Sequence, residues 1–107
     1  MPHFMVQASY TSDAWSAQIK NPQDRLGAIA EMAKANGSEV LSAYYAFGEY
    51  DIVMILESPN NVVAAGILIS AAGGGAVSNI RTTVLLTNDE GLEAIGAAAD
   101  SGYTPPT

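Results

Sequence analysis

Cysteine is absent from the chain, so it can form neither a disulfide nor a thiolate metal site. Basic residues are scarce: four Lys and Arg stand against eleven Asp and Glu, a net charge of −7. Nucleic acid and anionic membrane surfaces select basic patches, so neither is an expected partner. The acids are dispersed along the chain, and solubility accounts for them. Histidine occurs once. With one His, no Cys and no tight carboxylate cluster, no metal is expected, and no cofactor motif stands out. Gly73-Gly74-Gly75 is followed by no Lys and reverses the strand–loop–helix order of a phosphate loop, so it reads as a helix-to-strand connection. Long apolar runs are missing too. Val62 to Ile69 is the longest, includes a Gly, and falls far short of the roughly 20 residues of a membrane span. "MPHFMVQ" lacks the charged start and apolar stretch of a signal peptide, which makes the cytoplasm the expected compartment.

What remains is a chain of 107 residues, about half of it hydrophobic, enough for one core. "HFMVQASYT" alternates, with Phe4, Val6, Ala8 and Tyr10 on one face and His3, Met5, Gln7 and Ser9 on the other. It reads as a strand. "TSDAW" supplies N-cap residues for a helix from Ser12 to about Ile19. Asn21-Pro22 interrupts it, and Pro22 suits the first turn of a second helical segment. There Leu26, Ile29, Ala30 and Ala33 recur at helical spacing until Asn36-Gly37.

Glu39–Phe47 and Tyr50–Ser58 read as the second and third strands. Asn61–Gly74 reads as a helix and Ala76–Thr87 as the fourth strand. A short acidic helix follows, with Asn88 or Asp89 as its cap. Residues 1–100 form one domain in this reading, and 101–107 form a mobile tail. Strand, helix, strand, strand, helix, strand, then an extra helix is the α+β, ferredoxin-like split βαβ pattern. It implies a four-stranded antiparallel sheet with its helices on one face. The first and third strands are expected to be central and parallel to each other.

Between the second and third strands lies "FGEY". A two-residue loop with Gly48 first suits a type II′ turn, which gives Gly48 a positive φ and sets Phe47 opposite Tyr50. The third strand is apolar on both faces. Ile52, Met54 and Leu56 point one way, Val53 and Ile55 the other. Helices cover only one face, so a second copy of the sheet is expected on the other, giving a homodimer or higher even-numbered oligomer.

"GEYD" (Gly48 to Asp51), the apolar strand after it and "NIRTTVL" (Asn79 to Leu85) resemble the GYD domain family. Gly48, Tyr50 and Asp51 match its Gly-x-Tyr-Asp-type motif. The resemblance implies a ferredoxin-like fold that pairs into a dimeric α+β barrel. It implies little about activity, because related barrels include monooxygenases, isomerases, cyclases and ligand-binding regulator domains.

The candidate ligand-binding residues are His3, Tyr50, Asp51 and Arg81. If the first and third strands are parallel, His3 and Asp51 meet at one end of the sheet as an Asp-oriented imidazole, a general-base arrangement. Solvation of His3 near the terminus is the blander reading. Asp51 begins a central strand and therefore needs hydrogen-bond partners whether its role is structural or functional. Arg81 suits a ligand carboxylate or, in preference, an ion pair. Tyr10 and Trp15 read as core or lid, with core preferred. The leading functional expectation is an oligomer that binds a small, partly apolar molecule between sheet and helices. The alternatives are a cofactor-free enzyme of the isomerase, cyclase or monooxygenase kind and a purely structural assembly unit.

Overall fold

The computed structural model describes residues 1–106. The last residue of the expected tail, Thr107, lies outside the described residues. Eight elements follow in order: β1 (His3–Tyr10), α1 (Ser12–Lys20), α2 (Arg25–Ala35), β2 (Glu39–Tyr45), β3 (Ile52–Glu57), α3 (Asn61–Gly73), β4 (Val77–Leu85) and α4 (Asn88–Ala99). The strands form one sheet in the order β2-β3-β1-β4, antiparallel at every junction. This is the ferredoxin-like arrangement, with two helices in the first crossover.

Alternation in β1 and β3 builds the core. Phe4, Val6, Ala8 and Tyr10 are buried with Ile52, Met54 and Leu56, and α1, α2 and α3 add Ala14, Ala33, Ala64 and Ile67 on the same side. The opposite face, with Met5, Val53, Ile55 and Leu85, is only half-buried within one chain. No helix of the described residues is long and apolar enough to cross a membrane.

Three expectations need correction. The central strands β1 and β3 are antiparallel: His3 pairs with Glu57 and Ala8 with Ile52. In a split βαβ unit the third strand returns through a hairpin, which reverses its direction relative to the first. The hairpin is also longer than expected. Ala46 N–H donates to Asp51 C=O at 2.8 Å, leaving Phe47 to Tyr50 as the loop, and Gly48 is not among the residues with positive φ. Pro22 lies in the link between α1 and α2 rather than in a first turn. Asp24 is the α2 cap, accepting from Gly27 N–H at 2.8 Å.

Positive φ occurs elsewhere. Gly37 (φ 74) ends α2, and Gly75 (φ 78) leads from α3 towards β4. Asn79 has φ 55 where the β1–β4 register shifts between Gln7 and Ser9. One extra β4 residue is accommodated there as a bulge, and Asn tolerates the left-handed conformation better than most residues. A second shift lies between Val40 and Ser42 in β2.

Thr11 ties the chain's two halves together. Its side chain caps α1 by accepting from Ala14 N–H at 3.2 Å. Its hydroxyl donates to Gly75 C=O at 3.2 Å, and its N–H donates to Ala76 C=O at 3.0 Å. At the chain's other end, Thr87 caps α4 in a reciprocal capping box with Glu90, one residue before the expected cap. Hydrogen bonding from Thr87 N–H holds the Glu90 carboxyl below its usual range. No residue of α4 is buried. The radius of gyration, 17.2 Å, exceeds the roughly 13 Å of a compact chain this long, so the C-terminal part projects from the body.

Candidate functional site

The space between the sheet and helices α2 and α3 is a cavity of about 30 Å³. Its walls are wholly apolar, with Val6, Met32, Ile52, Met54 and Ile67 among them. A space of that size holds little more than one water. It is a packing gap within the core.

Two larger depressions flank the β2–β3 hairpin. The first, of about 280 Å³, lies on the face away from the helices and is lined by Gln7, Phe47, Glu49, Tyr50 and Val53, among others. The second, of about 340 Å³, is lined by Trp15, Tyr45, Ala46, Phe47 and Asp51. Register explains the division. Tyr45 pairs with Ile52, which points into the core, so Tyr45 shares the helix-covered face and meets Trp15 of α1. Tyr44 pairs with Val53 on the opposite face. The hairpin loop thus has one depression on each side, and Phe47 contributes to both.

In the second depression Asp51 is half-buried. Its Oδ2 accepts from Tyr10 N–H at 2.9 Å, and its own N–H donates to Ala8 C=O at 3.0 Å. The carboxylate therefore joins the end of β1 to the start of β3. It has no cationic side chain within ion-pair distance: among the described residues the only contact of that kind is between His3 and Glu57. Trp15 is 38% exposed, not the core residue expected, and meets the Tyr10 ring edge-on at 5.0 Å. Tyr10 is core, and its hydroxyl is buried without a hydrogen bond. Burial pushes that hydroxyl above its ordinary value of 10.0. Nearby Tyr45 and Asp51 push the same way, and Arg25 pulls against them.

The four candidate residues do not converge. His3 sits at the far end of the sheet, its Nε2 3.3 Å from Glu57 Oε2. The antiparallel pairing that joins His3 to Glu57 removes it from Asp51, so the expected His3–Asp51 dyad does not form. Tyr50 lines the depression on the outer face. Arg81 is exposed opposite Gln7 on the same face and makes no ion pair among the described residues. Only Asp51 belongs to the aromatic depression. Its companion Tyr45 carries no site signal of its own in the sequence, and Trp15 reads there as core before lid, because their meeting depends on the β2–β3 register and on where α1 lies across the sheet. The parity of β2 relative to β3 is the one sequence signal for Tyr45, and the bulge after Val40 obscures it.

Among known proteins, the family model described as GYD domain matches residues 4–95. The fold is similar to that in a solved structure described as the crystal structure of MtbAldR, with a TM-score of 0.59 and 11% sequence identity. The match covers 81% of this chain and 54% of that one, so the chain spans about half of MtbAldR's length. At such identity the likeness is one of fold. No curated protein sequence matches the chain.

Proposed function

The chain belongs to the GYD domain family, and on that premise we propose a homo-oligomer, most simply a twofold dimer, that binds a small, partly apolar molecule where the sheet meets α1. The depression beside Asp51 carries this reading. Its volume, about 340 Å³, falls within the range of small-molecule sites, and aromatic walls with one convergent polar group are the usual composition of such sites. The sheet face bearing Met5, Val53, Ile55 and Leu85 supports the assembly. An antiparallel sheet face left to water would carry polar residues at alternate positions.

The test is native mass spectrometry of protein taken directly from cells, alongside Asp51→Asn. An even-numbered oligomer that retains a small molecule is expected. Asn keeps a carbonyl acceptor for Tyr10 N–H, so the variant should melt close to wild type yet lose the molecule. A wild-type monomer carrying nothing would overturn the proposal. So would an Asp51→Asn protein that retains its ligand but loses stability, because Asp51 would then serve architecture alone.

A further inference from the structure

We infer that the depression beside the hairpin is a receptor for a small organic ammonium ion, fully alkylated or nearly so. The inference rests on the binding proposal above and names the ligand class for the same site. Trp15, Tyr45 and Phe47 line one depression together with a single carboxylate, that of Asp51. Aromatic faces carry negative electrostatic potential, and several rings around a cation replace water that the cation loses. Asp51 adds a full negative charge that no cationic side chain of the described residues neutralises within ion-pair distance.

The polar inventory argues for an alkylated ammonium over a primary amine. A primary amine brings three N–H donors that need acceptors. Among the side chains lining the depression, only Asp51 and the Tyr45 hydroxyl can accept, and one carboxylate oxygen already takes Tyr10 N–H. An ammonium sheathed in methyl groups asks only for charge and apolar contact. Phe47 stands wholly exposed at the hairpin tip, and a bound alkyl ammonium gives its ring a surface to cover. The chain's net charge of −7 also draws cations and repels anions at long range.

The probes are choline and its neutral carbon isostere 3,3-dimethylbutan-1-ol, titrated calorimetrically into the full chain at low and moderate salt. Choline should bind at least ~10-fold more tightly than the isostere. Asp51→Asn should cut choline affinity ~10-fold or more while leaving the isostere's affinity unchanged. Trp15→Leu should weaken choline binding by a similar factor. If Trp15→Leu fails to fold, Phe47→Ala makes the same test at a fully exposed ring.

Equal affinity for the two probes, or choline binding indifferent to Asp51→Asn, overturns the cation assignment while leaving a small-molecule site in place. Binding of neither probe to folded protein also overturns it. Native mass spectrometry then separates the two ideas. A retained neutral or anionic molecule that is lost on Trp15→Leu leaves the binding proposal standing without the ammonium, whereas an empty protein removes both.

Discussion

Tyr10 hides a hydroxyl from solvent without giving it a hydrogen bond. A buried polar group in that position costs free energy, and removing it can be neutral or stabilising. Tyr10→Phe should therefore match wild type or gain up to ~1 kcal/mol in chemical denaturation at neutral pH. The pH dependence follows from the raised folded-state pKa. In the unfolded chain the phenol ionises near its ordinary value of 10.0; in the folded chain it resists until higher pH. The contribution is thus fully present below about pH 10 and is lost as pH rises through the folded value. Wild type should lose more stability than Tyr10→Phe between pH 9 and pH 11, values chosen to bracket roughly the ordinary tyrosine pKa. Parallel curves would show that Tyr10 ionises as easily folded as unfolded. The alternation of β1 already marked Tyr10 as core. What it could not give was the hydroxyl's isolation, because the neighbours that stop short of bonding it, Tyr45 among them, arrive through distant registers.

At the scale of elements, helix and strand identities were legible because β1 alternates with period 2, α2 repeats near 3.6, and β3 is a short apolar run rich in β-branched residues. Ends and turns were less so. "FGEY" has the composition of a tight turn, yet the ladder closes one residue earlier, at Ala46 and Asp51. Gly48 is thereby released from any need for positive φ, and a Cβ there would meet nothing within 4 Å. Gly37, by contrast, is under constraint: its φ of 74 lets Gly37 N–H donate to Lys34 C=O and Ser38 N–H to Ala33 C=O, closing α2. Gly37→Ala should lower unfolding free energy by about 1 kcal/mol or more, whereas Gly48→Ala should stay within about 0.5 kcal/mol of wild type. Equal losses in denaturant titrations would contradict this assignment of the turns. The His3–Asp51 expectation failed at the same scale. It depended on strand direction, which side-chain alternation does not encode and connectivity does.

For the whole molecule, the best sequence signal was a strand apolar on both faces, and one of those faces is buried beneath helices. The other carries Val53 and Ile55 at half burial, and a second copy is the proposed cover. Val53→Lys and Ile55→Lys should each shift sedimentation at micromolar concentration from an oligomer towards a folded monomer. Wild type sedimenting as a monomer, or charged variants with unchanged mass, would refute the assembly. The outer face was legible because one strand displays it in sequence. The aromatic depression was not, because it takes residues from α1, β2 and the hairpin.

The triple attachment of Thr11 bears on the order in which the molecule comes together. Its hydroxyl meets Gly75 C=O across a sequence separation of 64 residues, a loop that closes only after the intervening hairpin and α3 have been laid down. The same hydroxyl caps the first turn of α1, and the chain's single tryptophan, Trp15, lies four residues beyond it. A latch to the segment that precedes β4 predicts that α1, and Trp15 with it, settles on the sheet late in folding. Trp15 fluorescence should change chiefly in the slowest refolding phase, and Thr11→Val should accelerate unfolding more than it retards folding. Trp15 emission that reaches its native value in the earliest phase would place α1 ahead of β4 and undo this sequence of events.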